Sequence, residues 1–469
     1  MVLPAEPPTF NPVYSNYSNL RIVGGLFDPL VGFNKQTLEP NDTGLFVSWE
    51  RKSPTEWRFK LRSGVKFHNG EPWNPAAAIF TLEKYRDEPK SGFRPYHTRV
   101  VGLKADGDDA IIVTTKLPYI ALPKVFTNVM GVDPKAYGTD GDAFGRAPVG
   151  TGPFKFAELR SGQSFSIVAN PDYWGGKPKL AGITYSWAAD AATRTALLRS
   201  GGADMAFDLP NELVKEVDAT PSLKVVSMPT LYKMMVSMNA NAAPLQDVRL
   251  REAIQAAIDY DGIAKAIFGG TGARVNPLFA GDIMGKKPDL TYQKFDLAKA
   301  KALVAEVGGK PKLRYLYTTG FYPKDKQVGE AVSAMLEAAG FEVQQVPLEN
   351  AELRKERSTG NYAIFSVQNF PVFAHPDSFY AYFSGSAAAV KYCNDPQGYD
   401  KLQNEALSTT DQARSDELYV QIEKKFMDED RCSAVLYDQV AFYGMTKKVE
   451  GFQTALDAVP DVRLWSLKA

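Results

Sequence analysis

The chain has 469 residues, 44% of them apolar and 12% aromatic, which is enough for large cores and, at about 150 residues per domain, for roughly three packing units. Its 54 basic residues balance its 54 acidic ones, so no net charge favours nucleic acid or an anionic membrane as partner. No apolar run reaches the ~18 residues of a membrane span, and Met1–Pro4 opens without the basic and apolar regions of an export signal, which we expect to be absent or already removed.

The N-terminal segment, residues 1–47, is rich in turn-forming residues and predicts extended chain with a short helix within 21–30. It carries a cluster of aromatic and amide side chains, Tyr14, Asn16 and Tyr17. Such a cluster suits surface decoration as well as contact with a ligand, and both interpretations stay open at this point.

A strand and a helix follow. Residues 57–62 alternate apolar and charged side chains, which predicts a half-buried strand, and Asn74-Pro75 begins a helix because proline is tolerated in the first turn. His68 lies beside the turn between them, where a structural hydrogen bond is favoured over catalysis. The charged loop after the helix contains Arg94 and His97.

The stretch from Pro148 to Gly176 combines glycine-rich turns with two short strands. Its two glycines around Thr151 could cradle a phosphate only if a helix began directly after them, but Pro153 and a strand follow, so we expect a structural turn. Further on, a strand at 183–187, a helix and a short strand at 204–208 predict a parallel pair with a right-handed crossover.

From about residue 240 to residue 440, predicted strands alternate with helices, which favours an α/β unit with a mostly parallel sheet. The predicted strands are 313–317, 341–347, 362–368 and 434–438, and the predicted helices are 250–258, 261–268, 296–307, 326–339, a run from 377, 399–407 and 411–427.

Two cysteines, Cys393 and Cys432, and three histidines, His68, His97 and His375, are the candidates for covalent and metal chemistry. One disulfide would suit an exported protein, and two buried free thiols are the alternative. No two ligands stand at the spacing of a zinc site, so we predict neither a metal nor a cofactor.

Five segments carry a family signature when they are taken together: Trp57–Trp73, Pro148–Pro153, Asn170–Pro178, Thr193–Asp204 and Asp247–Ile254. In this order, over nearly the full length, they resemble the extracytoplasmic solute-binding proteins of peptide and nickel ABC transporters. Any one segment alone would be weak, and their combination is specific.

The resemblance implies an α/β, two-lobed periplasmic-binding-protein fold of the large, three-subdomain type, with hinge strands and a central ligand cleft. It implies a discontinuous first lobe at 1–39, 149–238 and 443–469, an inserted subdomain at 40–148 and a second lobe at 239–442. Hinge strands near 234–239 and 436–442 would let the lobes close on a ligand.

Dipeptide-binding members of the family hold the peptide's amino group with an aspartate and its carboxylate with an arginine, in loops after two strands of the second lobe. This sequence has Val372 at the aspartate position, and Thr318–Phe321 contains no charge where the arginine would stand. A buried zwitterion without those partners would cost several kcal/mol, so a free dipeptide is disfavoured.

Aromatic and amide side chains instead dominate the segments that the resemblance brings to the cleft. The candidate ligand-binding residues are Tyr14, Asn16, Tyr17, Arg94, His97, Phe321, Asn369, Phe370, Phe373 and His375, any one of which could instead pack a lobe or line a rim. This surface suits a small polar solute that is peptide-like, an opine or a sugar conjugate. A nickel or other metal chelate is the alternative within the family, and an oligopeptide held by its backbone is a further one.

Replacing Phe373 by alanine is expected to weaken binding and to leave the stability of the unliganded protein little changed.

We therefore predict a binding protein, not an enzyme: a monomeric solute-binding component of an ABC importer, periplasmic or on the extracellular face of the membrane, which delivers its solute to the permease and binds no nucleic acid. The rival class is a hydrolase with His68 or His375 as base, but no Gly-x-Ser-x-Gly elbow is present and no cysteine stands beside a plausible histidine. A ligand-free chaperone or signalling role on the same fold stays open, because fold does not determine function.

Overall fold

The computed structural model describes residues 1–14, 20–271, 278, 294–373, 375–385, 393, 395–457, 459 and 461–468. The chain divides into two compact units: residues 1–230 and 441–469 form unit 1, and residues 231–440 form unit 2. The two crossings from one unit to the other fall within strands. The finer division of the first lobe, with 40–148 as an inserted subdomain, stays a prediction.

The strands in chain order are β1 Val2–Leu3, β2 Gly32–Phe33, β3 Pro40–Asn41, β4 Phe46–Ser53, β5 Glu56–Leu61, β6 Val100–Ala105, β7 Ala110–Thr115, β8 Phe154–Arg160, β9 Ser164–Ala169, β10 Gly182–Trp187, β11 Met205–Ala206, β12 Leu223–Met238, β13 Lys312–Thr318, β14 Glu342–Leu348, β15 Ile364–Asn369, β16 Ser433–Thr446, β17 Val449–Glu450 and β18 Ser466–Leu467.

The α-helices are α1 Leu20–Val23, α2 Pro75–Asp87, α3 Arg94–His97, α4 Leu122–Val125, α5 Pro134–Tyr137, α6 Gly141–Arg146, α7 Ala191–Ser200, α8 Asn211–Asp218, α9 Val248–Ala257, α10 Tyr260–Phe268, α11 Leu297–Val307, α12 Asp325–Ala338, α13 Asn350–Thr359, α14 Asp377–Phe383, α15 Pro396–Ser408 and α16 Gln412–Lys424. Short 3₁₀ turns lie at Phe126–Asn128 and Val462–Leu464, and a π-helical turn, Lys425–Glu429, continues α16.

The larger sheet of unit 1 has the strand order β16-β11-β1-β10-β9-β8, to which β16 contributes its C-terminal part. Strand β1 is parallel to β10 and to β11, with Val2 opposite Ser186 on one side and Ala206 on the other. The two strands around α7 therefore run parallel, as predicted, but they are not directly paired, since β1 lies between them. The sequence pattern missed β1 because a strand of two residues shows no alternation.

A separate antiparallel sheet of unit 1 has the order β4-β5-β7-β6. The alternation predicted at 57–62 is found in β5, where Trp57, Phe59 and Leu61 are buried. Helix α2 begins at Pro75, with the side chain of Asn74 capping its first turn, as its sequence predicted.

Unit 2 is built on a mixed sheet in the order β14-β13-β15-β12-β16, with β13 parallel to β14 and β15, and β12 antiparallel to β15. The helices predicted between 240 and 440 are present to within a few residues. Helix α13 was missed because it is polar and buries Leu353 alone among its residues. Strand β16 runs to Thr446, beyond the predicted end at 438, because its apolar residues continue past the single charge of Asp438.

The core of unit 2 joins this sheet to the helices around it. Leu250 and Ile254 of α9, Tyr315 of β13 and Leu336 of α12 belong to one buried apolar cluster. Full burial of each such side chain contributes about 1.5–3 kcal/mol, so this cluster holds the ends of β13 and β15 in place.

Candidate ligand-binding site

The carboxyl ends of two parallel strands bring part of the predicted set together in unit 2. Strand β13 ends at Thr318 and its neighbour β15 ends at Asn369, with Tyr315 opposite Ile364 in their pairing. Ligands of open α/β sheets bind outside the carboxyl ends of the strands. We name residues 318–322 and 368–373 the strand-end site.

The first loop of the strand-end site is organised by Asp325, which is 6% exposed. Its carboxylate accepts the backbone N–H groups of Gly320 at 2.9 Å, Phe321 at 2.9 Å and Tyr322 at 3.0 Å. Phe321 is 50% exposed and packs edge-on against Tyr322, with ring centroids 4.7 Å apart. This loop therefore presents an aromatic face, and its own N–H donors are already bonded.

Thr318 lies at the base of that loop and is 1% exposed. Among the described residues, its Oγ1 has no hydrogen-bond partner. A backbone hydrogen bond joins the hydroxyl of Tyr322 to Gln368, so the two halves of the strand-end site meet. A buried hydroxyl without a partner costs about 1–3 kcal/mol unless a water or a ligand satisfies it.

The second loop of the strand-end site begins with Asn369 and Phe370. Asn369 is 9% exposed, and its Nδ2 donates to Sδ of Met235 at 3.5 Å. Phe370 is half-buried and stacks on Tyr232, with ring centroids 4.8 Å apart. Both predicted residues thus lie at the strand end, close to Phe321's loop.

Phe373 and His375, also predicted to contact ligand, lie in the interior of unit 2. Both are 3% exposed, and their rings stack at 6.2 Å. Nδ1 of His375 accepts the N–H of Asp377 at 3.2 Å at the start of α14, and its ring packs edge-on against Tyr419. These contacts are those of core residues, which was the alternative for them.

A buried ion pair lies beside the strand-end site and was missed by the sequence analysis. Nζ of Lys233 on β12 is 2.7 Å from Oδ1 of Asp438 on β16, and their side chains are 0% and 11% exposed. Lys233 is opposite Asn369 in the sheet, and Gln368 and Gln439 are hydrogen-bonded nearby. The signal was present: Asp438 is the single charge of β16, and Lys233 stands next to the apolar run Met234–Val236 in β12.

In unit 1, Tyr14 and Arg94 lie at or near the surface. The hydroxyl of Tyr14 is hydrogen-bonded to Tyr137, and Nζ of Lys90 lies 5.4 Å from the ring centroid. Burial of the hydroxyl and its hydrogen bond to Tyr137 raise the pKa of Tyr14. Arg94 is exposed at the first position of α3. Asn16 and Tyr17 lie outside the described residues.

His97 is in the core of unit 1 and is 1% exposed. Its Nδ1 donates to the carbonyl oxygen of Phe93 at 2.9 Å, and its ring lies between Tyr85 and Phe126, 5.5 Å and 6.4 Å away. Burial lowers its pKa to about 4, so the imidazole is neutral at pH 7. These surroundings are those of a packing residue.

The two turns of the 148–176 stretch converge on one carboxylate, that of Asp28, which is 2% exposed. It accepts hydrogen bonds from Thr151 Oγ1 at 2.8 Å, Tyr173 hydroxyl at 2.7 Å and Trp174 Nε1 at 2.9 Å. Burial raises the pKa of Asp28, and the three donors oppose that rise. Strand β8 follows the turn, so the stretch is a packing motif, not a phosphate loop.

His68 links the same stretch to the turn region between β5 and α2. Its Nε2 donates to the carbonyl oxygen of Gly152 at 3.0 Å, and its Nδ1 accepts the N–H of Gly150 at 3.2 Å. A Cβ at Gly150 would lie 2.1 Å from the carbonyl oxygen of Leu26, so only glycine fits there. With both ring nitrogens bonded to the backbone, His68 has the structural role that its position predicted.

Three further observations bear on the chemistry of the protein. Cys393 and Cys432 form a disulfide, with Cα atoms 5.6 Å apart. Within the described part of the chain, no group of three or more His, Cys, Asp or Glu side chains could hold a metal ion. No helix there combines the length and apolar character needed to cross a bilayer.

Comparison with known proteins agrees with this architecture. The sequence is 28% identical over 424 residues to the "Probable D,D-dipeptide-binding periplasmic protein DdpA" of Escherichia coli (strain K12), covering 87% of this chain and 81% of that protein. It is 26% identical over 475 residues to the "Dipeptide-binding protein" of the same strain, covering 91% and 86%. The fold superposes on the PBP AgaA, solved in complex with agropinic acid from A. tumefacien R10, with a TM-score of 0.83, 22% identity and coverage of 100% and 98%.

The fold is that of a periplasmic binding protein. The profile of "Bacterial extracellular solute-binding proteins, family 5 Middle" matches residues 43–390, well over half of the chain. The chain therefore belongs to family 5 of the bacterial extracellular solute-binding proteins. It is the solute-binding component of an ABC importer of the peptide and nickel type, acts outside the cytoplasmic membrane and works with permease subunits, and its relatives are binding proteins.

Proposed function

We propose that this protein captures a small polar solute, peptide-like or an opine or sugar conjugate, and releases it chemically unchanged. The observation that carries the proposal is the strand-end site, where Phe321, Asn369 and Phe370 offer aromatic and amide surface. Neither residues 318–322 nor residues 369–373 contain a charged side chain. Aromatic faces accommodate sugar rings and apolar parts of peptides, while amides fix the orientation of polar groups.

Of the candidate residues, we propose Phe321, Asn369 and Phe370 as ligand contacts of unit 2. Tyr14, Asn16, Tyr17 and Arg94 remain proposed contacts from unit 1. The burial of His97, Phe373 and His375 supports packing roles for these three. Capture by closure of the two units would bend β12 and β16, the strands that carry the chain between them.

Native mass spectrometry of the purified protein, before and after denaturation, tests the capture of a solute. We expect a bound solute that is released intact, and its addition to stripped protein should raise the melting temperature, since ligand at 100 times its dissociation constant stabilises by about 2.7 kcal/mol. Conversion of the solute into a product would overturn the proposal. Small-angle scattering should show a smaller radius of gyration with solute bound, and an unchanged radius would argue against closure.

Phe321→Ala provides the variant for the site, and Phe295→Ala provides its matched control. Both side chains are large, lie in unit 2 and are about equally exposed, 50% and 49%, but Phe295 lies outside the strand-end site. We expect Phe321→Ala to reduce the solute-induced rise in melting temperature and Phe295→Ala to leave it unchanged. Equal effects of the two variants would remove Phe321 from the site.

A further inference from the structure

We propose that the part of the solute that contacts residues 318–322 is uncharged, and that Asp325 excludes carboxylates from this loop. The inference rests on the proposed function and deepens it, because it selects among the ligand classes that the strand-end site admits. It assigns a specificity role to a residue that the sequence analysis did not single out.

The first argument concerns hydrogen-bond donors. A loop that leads into a helix N-terminus is ordinarily a favourable place for an anion, because its backbone N–H groups point outward. Here Asp325 supplies that anion: it accepts the N–H groups of Gly320, Phe321 and Tyr322, and that of Lys326 at 2.8 Å. A ligand carboxylate would find these donors already used.

The second argument concerns charge. Among the described residues, no lysine, arginine or histidine forms an ion pair with Asp325, and its carboxylate is held by four backbone N–H groups. At Tyr437 that charge adds to the effect of burial in raising the pKa. At Tyr322 burial also raises the pKa, and there the effect of Asp325 is opposed by Arg354 and Arg357. A second carboxylate beside Phe321 would be repelled through a medium less polar than water.

The third argument concerns Thr318. Its Oγ1 is buried and has no partner in the described part of the chain. A hydroxyl both donates and accepts, so an amide or a hydroxyl of the solute satisfies it without bringing a charge next to Asp325. The solute end at this loop is therefore an amide-like or hydroxyl-bearing neutral group, set against the face of Phe321.

The test uses two probes that differ in one charge: a mixture of tripeptides with free C-terminal carboxylates, and the same sequences as C-terminal amides. Both are offered in competition to the full-length wild-type protein, stripped of bound solute, and the retained peptides are read by native mass spectrometry. We expect amides to be retained at least about tenfold over acids, which corresponds to about 1.4 kcal/mol. Equal retention, preference for the acids, or retention of neither mixture would overturn the inference.

Phe321→Arg adds the cation that the loop lacks, and Phe295→Arg adds the same charge to unit 2 outside the strand-end site. We expect Phe321→Arg to lower the ratio of amide to acid retention about tenfold, and Phe295→Arg to keep the wild-type ratio. Thr318→Val should reduce retention of the amides about fivefold, as expected for the loss of one hydrogen bond. A ratio that changes equally in both arginine variants would show a general charge effect and overturn the assignment.

The outcome separates this inference from the function on which it rests. If neither mixture is retained but another solute is released intact from the purified protein, the neutral-end inference fails and solute capture stands. If the purified protein converts its solute, the proposed function fails.

Discussion

Lys233 and Asp438 form a buried ion pair between β12 and β16, with Nζ and Oδ1 2.7 Å apart. Lys233 is the third residue of unit 2, which begins at Leu231. Asp438 lies two residues before the last residue of that unit, Val440. The pair thus ties together the two strands that carry the chain between the units. Burial makes each charge dependent on the other, because a lone charge there would lose its hydration without compensation.

Removing one partner of this pair should be costly, and removing both should not. We expect Lys233→Met to lower the free energy of unfolding by about 3–5 kcal/mol, and Lys233→Met combined with Asp438→Val to recover most of it. Urea unfolding followed by circular dichroism measures both. Lys312→Met is the control, since Lys312 and Glu342 form an exposed pair, 78% and 54%, and its loss should cost less than about 1 kcal/mol. A Lys233→Met variant as stable as Lys312→Met would contradict the prediction.

The stability of the protein should depend on pH through His68. Burial lowers its pKa to about 4 from the ordinary 6.5, so between these values the folded state binds fewer protons than the unfolded state. The part of the free energy of unfolding that depends on His68 being neutral is fully present above pH 6.5. It falls as the pH drops towards 4, by on the order of 3 kcal/mol in total.

His68→Gln removes this titration and leaves that of His97 in place. We therefore expect the stability difference between wild type and His68→Gln to shrink as the pH falls from 7 to ~4, measured by urea unfolding at each pH. Parallel stability curves for the two proteins would show that His68 does not titrate in this window.

Asp28 should be far less tolerant of change than its partners. Asp28→Asn places an NH₂ group among three donors, so at least one of them loses its acceptor, and we expect a loss of about 2–3 kcal/mol. Thr151→Val removes one of the three hydrogen bonds and should cost about 1 kcal/mol. Chemical unfolding of both variants checks the order, and a smaller loss in Asp28→Asn than in Thr151→Val would refute the central role of the carboxylate.

Truncation of Phe373 and of Phe321 to alanine should lower the stability of the unliganded protein by very different amounts. The sequence predicted that Phe373→Ala would weaken binding and leave the stability of the unliganded protein little changed. Because Phe373 is 3% exposed, we now expect this variant to cost about 3–5 kcal/mol in the unliganded protein. Phe321→Ala, at a side chain that is 50% exposed, should cost less than about 0.5 kcal/mol. Thermal unfolding without solute distinguishes the two, and similar losses would mean that both side chains are packed alike.

Local pattern predicted the elements whose burial is periodic. Strand β5 and helix α2 follow from alternation and from the Asn74 cap, and the helices of unit 2 follow from their apolar faces. The five sequence segments likewise identified the family, because their order along the chain can be read without knowing the fold. The loops that contain Phe321 and Phe370 could be placed from the sequence too, because each follows a strand that the local pattern predicted.

What the sequence determined, by itself, was therefore the local structure and the chemistry of the loops, including the lack of charge in Thr318–Phe321. Only the tertiary structure decided which side chains meet: Lys233 and Asp438 are 205 residues apart in the chain, and Thr151 is 123 residues from Asp28. It also decided that His97, Phe373 and His375 are buried, since their covering residues come from distant segments. The physical reason is that periodicity reports which face of an element is apolar, whereas hydrogen bonds, ion pairs and burial depend on which distant element covers that face.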